Sequence, residues 1–141
     1  MPKILAIIPA RANSKRLPKK NKLPFLGKPL VEWSIEFAMN SSIFTSVVVS
    51  TDDPEILDLG IQLGTWSKDL RPAELSSDIA STADVIIYEL LKAEIQFGEF
   101  DYVAVLQPTS PFRVQSRWNE AVQKLSQFPN LKSVVSVQKA N

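Results

Sequence analysis

Short apolar runs rich in β-branched residues recur along the chain, and they restrict its fold more than any other feature. The runs are Lys3 to Ile8, Ser46 to Ser50, a weaker one at Thr65 to Ser67, Tyr102 to Leu106, and Ser133 to Val137. Their centres are continuously apolar rather than alternating, which is typical of strands covered on both faces, as in a parallel sheet. Because helical patterns separate the runs, the sequence predicts a fold of the α/β class. We expect a Rossmann-like three-layer fold with a mostly parallel sheet and helices on both faces.

Four helices are predicted from apolar periodicity and from capping residues. They are Leu30 to Met39; a helix capped by Asp53, with Pro54 in its first turn and with Gly60 and Gly64 weakening and ending it; a helix that begins at a capping-box pattern, Ser81 to Asp84; and Arg117 to Phe128. No linker, repeat or low-complexity tract interrupts the pattern. Residues 1–141 are therefore predicted to form a single domain.

The composition excludes several kinds of chemistry. The 141 residues include no cysteine and no histidine, which rules out disulfides, a thiol nucleophile, a Ser-His-Asp triad and the usual zinc sites. No apolar run approaches the ~18 residues that span a bilayer, and the N-terminus lacks a signal-peptide pattern. The sequence therefore predicts a cytoplasmic protein that has no membrane partner.

A basic segment, residues 11–21, follows the first predicted strand. It contains no acid, although the net charge of the chain is only +1. Its cations are Arg11, Lys15, Arg16, Lys19 and Lys20. Ligands of parallel α/β sheets bind at the carboxyl ends of the strands. We therefore expect residues 11–21, 51–53 and 107–113, which all follow strands, to converge on one edge of the sheet.

The basic segment has three possible roles that its spacing alone does not separate. It contains no glycine, so a phosphate would be bound by side chains rather than by the backbone amides of a P-loop. Arg11 would act as a planar fork and the lysines as point charges on a triphosphate. A solvated basic loop is the second role. A nucleic-acid surface is the third, and it is weakened because the segment has no aromatic residue for base stacking.

Five motifs in the same order resemble the acylneuraminate cytidylyltransferases, the CMP-sialic acid synthetase family. They are Ile8 to Lys15 continued by Leu17-Pro18 and Lys20-Asn21; Leu26 to Leu30; Val49 to Asp53; Arg71 to Asp78 with Ala80-Ser81; and Leu106 to Arg113. Two features depart from the family pattern. Arg16 stands where many members have glycine, and family members continue well past Asn141. We therefore expect residues 1–141 to be a nucleotide-binding domain that lacks the family's C-terminal portion and has little activity by itself.

The resemblance implies a nucleotidyltransferase type of fold and a specific reaction. A cytidylyltransferase of this family transfers CMP from CTP to the anomeric hydroxyl of a nonulosonic sugar, an acidic nine-carbon sugar such as sialic acid, and releases pyrophosphate. The family implies Mg²⁺, whose aspartate ligands would lie beyond Asn141, a homodimer in the full-length protein, and no nucleic-acid partner. A CMP-Kdo synthetase-like enzyme and a truncated, non-catalytic nucleotide-binding module are the alternatives. Against the first, Gln107 to Ser110 replaces the acidic turn expected in CMP-Kdo synthetases.

The resemblance also assigns expected roles to residues of this sequence. Arg11 and Lys20 would be catalytic, because they would stabilise charge in the transition state. The expected nucleotide-binding residues are Arg11, Asn13, Ser14, Lys15, Asn21, Arg71, Ala80, Ser81 and Gln107. The expected sugar-binding residues are Gln107, Thr109, Ser110 and Arg113. No metal ligand is assigned, since Asp53 is predicted to cap a helix and Asp52 is left out with it. Two alternatives stay open: Arg71 pairing with Glu74 or Asp78, and Arg113 forming a surface salt bridge.

Overall fold

The structure, a computed structural model, describes residues 1–13, 19–77 and 80–134. In chain order its strands are β1 (Ile4–Pro9), β2 (Pro24–Phe25), β3 (Lys28–Pro29), β4 (Ser46–Ser50) and β5 (Tyr102–Val105). The α-helices are α1 (Leu30–Asn40), α2 (Pro54–Gln62), α3 (Thr82–Phe97) and α4 (Gln115–Gln127), with short 3-10 helices at Lys20–Lys22 and Ala73–Leu75. None of the helices in these three ranges is long and apolar enough to cross a membrane.

A parallel three-stranded sheet forms the centre of the fold, in the order β4-β1-β5. Leu5 on the central strand is in register with Ser46 of β4 and with Val103 of β5. β4 has the predicted bounds, while β1 is shifted by one residue and β5 ends one residue early. The predicted parallel sheet is confirmed.

Helices cover both faces of this sheet. Successive side chains of β1 point to opposite faces, and each set packs against different helices. Ile8 belongs to a buried cluster with Ile35 of α1 and Ile56 of α2. Ile7, the preceding residue, belongs to a second cluster with Ala93 of α3. The fold therefore has three layers and is Rossmann-like, as predicted.

Helices α2 and α3 begin where their capping residues predict. The Asp53 carboxylate accepts a hydrogen bond from the Glu55 N–H at 2.9 Å, and the Ser81 hydroxyl accepts one from the Asp84 N–H at 3.1 Å. Helix α2 continues through Gly60 to Gln62, and Gly64, with φ of 99°, follows its C-cap residue Leu63. A Cβ atom at position 60 would lie 3.1 Å from Val49 Cγ2. Glycine thus lets α2 approach β4 closely.

The strand predicted at Thr65 to Ser67 is absent from the described structure. This segment lies beside β4, where the Trp66 N–H donates to the Val47 carbonyl at 2.8 Å. The Ser67 hydroxyl, rather than a backbone group, then accepts from the Val49 N–H at 2.7 Å. A side-chain contact thus replaces the next backbone bond, and no ladder forms. Of the strand predicted at Ser133 to Val137, residues 133 and 134 are not in a strand and the rest lie outside the described residues.

The sequence did not predict the antiparallel pair β2–β3 that leads into α1. Leu26 and Gly27 form its two-residue turn, with φ of 49° and 92°, as a tight hairpin turn of the primed type requires. The indole N–H of Trp33 on α1 donates to the Phe25 carbonyl at 2.8 Å. The pair therefore fixes the start of α1 against the segment that follows the basic residues.

Candidate functional site

A cavity of about 240 Å³ opens at the carboxyl ends of β1 and β5, beside the N-terminus of α3. Its polar lining comes from Arg11, Lys20, Asn21, Arg71, Ser77, Ser81, Thr82, Gln107 and Thr109, and its other walls from Pro9, Leu75, Ala80, Val85 and Pro108. Two of the three polar segments that follow strands thus meet here. The third, Thr51 to Asp53, does not line the cavity. It is hydrogen-bonded to the other segments, since the Thr51 carbonyl accepts from the Arg71 N–H and the Asp52 carboxylate accepts from the Ala12 N–H.

Both ends of the basic segment, residues 11–12 and 19–21, are held by hydrogen bonds. The Asp52 carboxylate accepts a hydrogen bond from the Ala12 N–H at 2.7 Å. The Lys19 N–H donates to the Ala12 carbonyl at 3.1 Å, and the Asn21 amide donates to the Arg11 carbonyl at 3.0 Å. These bonds bring the two ends of the segment together, so Arg11 and Lys20 line the same cavity although eight residues lie between them in the sequence.

Asp53 links helix α2 to Lys22, the residue that directly follows the basic segment. Its carboxylate is buried, caps α2 and forms an ion pair with Lys22, with the Nζ and Oδ2 atoms 2.8 Å apart. Burial acts to raise the pKa of Asp53, but the Lys22 ammonium and the backbone N–H groups of Glu55 and Ile56 lower that pKa by more, so it lies below the ordinary range. Folding is therefore favoured by the ionised form of this carboxyl.

We expect Asp53→Asn to reduce the stability of the protein in a pH-dependent way. Asparagine caps helices about as well as aspartate, so the substitution removes mainly the charge that Lys22 pairs with. Since the pKa of Asp53 is lower in the folded state, its stabilising effect is complete above about pH 3.9, the pKa of an unfolded aspartate, and is lost as the pH falls through the folded value. Urea unfolding should give a lower free energy of unfolding for the variant at pH 7 and equal values at the acid end. In a Lys22→Met background the difference at pH 7 should shrink; an undiminished difference would contradict the pairing.

Arg71 is buried in the wall of the cavity and makes three hydrogen bonds. Its Nε and Nη2 groups donate to the Ser50 hydroxyl and carbonyl at 3.1 Å and 2.7 Å, and Nη1 donates to the Leu75 carbonyl at 3.2 Å. Burial lowers the pKa of Arg71 from its ordinary value. The described contacts of Arg71 include no hydrogen bond or ion pair with Glu74, and Asp78 lies outside the described residues. The guanidinium is thus held rigidly by neutral groups.

The segment after β5 places Gln107 and Thr109 at the cavity and Arg113 behind it. Arg113 donates to the Gln107 carbonyl at 2.7 Å and to the Ser34 hydroxyl on α1 at 2.9 Å. Burial lowers the pKa of Arg113 to about 10. Arg113 does not line the cavity, and its described hydrogen bonds go to neutral acceptors rather than to a carboxylate. It therefore holds the turn that carries Gln107, and its predicted contact with a sugar stays a prediction.

The cavity brings together most of the residues singled out from the sequence. Those that line it are Arg11, Lys20, Asn21, Arg71, Ala80, Ser81, Gln107 and Thr109. Asn13, Ser110 and Arg113 do not line it, and Ser14 and Lys15 lie outside the described residues. The sequence analysis did not single out Ser50, which accepts hydrogen bonds from Arg71, or Glu89, which accepts one from the Ser50 hydroxyl. The only signal in the sequence was a polar residue at a strand end and another in the middle of a helix. The proximity is a finding, whereas the ligand of each residue stays a prediction.

The described residues do not form a metal site by themselves. Among residues 1–13, 19–77 and 80–134, no group of three or more acidic side chains is arranged to hold a metal ion. The carboxylates of Asp52 and Asp53 both accept hydrogen bonds from backbone N–H groups.

Comparison with protein families and with characterised proteins gives consistent matches. The model of a family described as cytidylyltransferase matches residues 5–141. The pseudaminic acid cytidylyltransferase of Campylobacter jejuni is 42% identical over 127 residues, which are 89% of this chain and 54% of that protein. The CMP-N,N'-diacetyllegionaminic acid synthase of Legionella pneumophila is 43% identical over 121 residues, 86% of this chain and 52% of that protein. The chain thus spans about half the length of these relatives.

Solved structures of similar proteins have the same fold. A CMP:2-keto-3-deoxy-manno-octonic acid synthetase, solved in complex with CTP, matches with a TM-score of 0.73 and 28% identity, covering 92% of this chain and 49% of that one. A cytidylyltransferase from Leptospira borgpetersenii matches with a TM-score of 0.64 and 23% identity, and it supports the fold alone.

Proposed function

Because this chain belongs to the cytidylyltransferase family, we propose that it binds CTP in the cavity at the sheet edge and contributes to the transfer of CMP to a nonulosonic sugar. The observation that carries the proposal is the convergence of Arg11, Lys20, Arg71 and Gln107, from three separate segments, on one cavity. In this reaction the anomeric hydroxyl of the sugar loses its proton, and its oxygen bonds to the α-phosphorus of CTP. The bond from that phosphorus to the bridging oxygen breaks, and pyrophosphate leaves.

Arg11 and Lys20 would serve the phosphate end of the nucleotide. Both line the cavity beside the carboxyl end of β1, and a triphosphate is the anion whose several oxygens can use two cations at once. Negative charge grows on the pyrophosphate as it leaves, so cations already in place lower the barrier without a rearrangement. In this role the two residues are catalytic as well as binding groups.

Arg71, Ala80, Ser81 and Gln107 would serve the nucleoside end. Arg71 and Ser81 line the cavity on the α3 side, and Gln107 lines it after β5. A glutamine side chain both donates and accepts hydrogen bonds, so it suits cytosine or a sugar hydroxyl. Ser81 also caps α3, and a substitution there would therefore alter the helix as well as the cavity.

The proposed acceptor is an acidic nine-carbon sugar. The relatives from Campylobacter and Legionella are named for pseudaminic and diacetyllegionaminic acid. The proposed sugar contacts are Gln107 and Thr109, which line the cavity, and Ser110 and Arg113, which do not. A second candidate is Kdo, since the synthetase that matches with a TM-score of 0.73 is named for it. The rate of pyrophosphate release from CTP with pseudaminic acid, compared with the rate with Kdo, distinguishes the two.

The proposal also includes Mg²⁺ as the cofactor, a homodimer and a cytoplasmic location.

Nucleotide selectivity tests the proposal. Calorimetric titration should give tighter binding of CTP than of UTP, GTP or ATP. The substitution Gln107→Ala should reduce that preference by about ten-fold, the effect of one lost hydrogen bond. Gln123→Ala, on the exposed side of α4, is the matched control and should change nothing. Equal affinity for the four nucleotides in the unaltered protein would contradict the proposal.

A further inference from the structure

A buried carboxyl group lies next to the cavity without lining it. Glu89, in the middle of α3, is 3% exposed. Burial raises the pKa of Glu89, against smaller lowering effects of the Ser50 hydroxyl and of the positive charges of Lys92 and Arg71. Burying a carboxyl group is costly unless it is hydrogen-bonded. The proposed function gives Glu89 no contact with a substrate and does not explain why a carboxyl group is buried at this position.

The partner of Glu89 is Ser50, at the carboxyl end of β4. Ser50 is fully buried, and its hydroxyl donates to Glu89 Oε1 at 2.9 Å. A hydroxyl has one hydrogen and two lone pairs. With its hydrogen committed to Glu89, the oxygen presents a lone pair to the Arg71 Nε–H, which lies 3.1 Å away. Glu89 thereby fixes the direction in which the Ser50 hydroxyl accepts.

This chain of contacts determines how Arg71 faces the cavity. A guanidinium group has five N–H bonds, and the described residues take up one on Nε, one on Nη1 and one on Nη2. These bonds leave one N–H on each terminal nitrogen, and Arg71 lines the cavity. Since the guanidinium is planar and rigid, fixing the Nε–H fixes the direction of these two donors.

We infer that Glu89 is a positioning residue: through the Ser50 hydroxyl it orients the Arg71 guanidinium toward an acceptor oxygen of the bound nucleotide. The inference rests on the proposed function, since it takes CTP as the ligand of the cavity. Glu89 itself touches no ligand. Its effect on binding must therefore pass through Ser50 and Arg71, and a double-mutant cycle isolates such a pathway.

The test compares variants that keep or remove the acceptor at position 89. Glu89→Gln keeps an acceptor oxygen, and CTP affinity should stay within about three-fold of the unaltered protein. Glu89→Leu removes the acceptor, and affinity should fall about ten-fold. Ser50→Ala breaks the same chain with a smaller change of volume, and should give the same loss even where Glu89→Leu folds poorly. In an Arg71→Met background, neither Glu89→Leu nor Ser50→Ala should cause a further loss. A full additional loss in that background would overturn the inference.

A measurement without nucleotide separates this inference from the proposed function. The Arg71 Nε–H should give a protected signal in an ¹⁵N NMR spectrum of the unaltered protein and of Glu89→Gln. The signal should be lost by exchange with water in Glu89→Leu and Ser50→Ala. A signal that persists in both of these variants would overturn the positioning role. Failure of CTP to bind the unaltered protein, with the signals as expected, would instead overturn the proposed function.

Discussion

Replacing Arg11 by alanine is expected to weaken CTP binding about 100-fold. Arg11, which follows β1, lines the cavity together with Arg71 and Gln107. A guanidinium donates two parallel hydrogen bonds to a phosphate. A net contribution near the upper end of the about 1.5–3 kcal/mol that one hydrogen bond to a charged group supplies corresponds to about 100-fold in affinity. Calorimetric titration with CTP measures the loss. The CTP affinity of Arg11→Lys should lie between those of the unaltered protein and Arg11→Ala, since lysine keeps the charge but cannot donate two parallel hydrogen bonds.

Two controls distinguish a phosphate contact from a general effect of charge. Arg117→Ala removes the same charge from the exposed surface of α4 and should leave CTP affinity within about two-fold, because exposed charges at a distance are screened by salt. Cytidine, which has no phosphate, should bind Arg11→Ala as well as it binds the unaltered protein. Equal losses for Arg11→Ala and Arg117→Ala, or a large loss for cytidine, would contradict a phosphate-binding role.

Truncation of the central strand is expected to have the largest effect on stability. Ile7→Ala and Ile8→Ala should each lower the free energy of unfolding by roughly 2–5 kcal/mol, because each leaves a cavity in a fully buried cluster. The two side chains face opposite layers, so the three-layer fold predicts losses of similar size. Native domains are stable by only about 5–15 kcal/mol, and either variant would therefore be partly unfolded at elevated temperature. Urea unfolding measures the change.

Ile95→Ala is the matched control for these core variants. Ile95 lies on α3 and is 88% exposed, so the same atoms are removed without creating a cavity, and the change should stay within about 0.5 kcal/mol. A small loss for Ile8→Ala with a large one for Ile7→Ala would indicate that α1 and α2 do not cover their face of the sheet in solution.

Local sequence signals predicted the elements that depend on neighbouring residues. Asp53-Pro54 marks the start of α2 because a side-chain acceptor and a fixed φ act within one turn, and the apolar run Ser46 to Ser50 marks a strand that is buried on both faces. The run at Thr65 to Ser67 misled because its pairing depends on a distant strand, where the Ser67 hydroxyl takes the place of a backbone group. The role of Gly60 could not be read either, since it follows from how closely α2 approaches β4.

The sequence predicted which residues lie near one another at the site, but not the buried contacts that hold them. The position of the basic segment after a strand, together with the family resemblance, placed Arg11, Arg71 and Gln107 near one another, and the cavity confirms that proximity. The link from Glu89 to Arg71 through Ser50 was not predictable. It joins residues separated by 39 and 21 positions, and each of them has an ordinary local pattern. Only the folded arrangement shows that these polar groups share one buried network.

A crystal structure of the protein with CTP tests the central claim most directly, namely that side-chain cations at the edge of the parallel sheet bind the triphosphate. The account predicts β- or γ-phosphate oxygens within about 3 Å of the Arg11 guanidinium and the Lys20 ammonium, with the cytosine on the side of Ala80 and Ser81. A triphosphate bound away from Arg11 and Lys20, or a cytosine lying where the phosphates are expected, would contradict it.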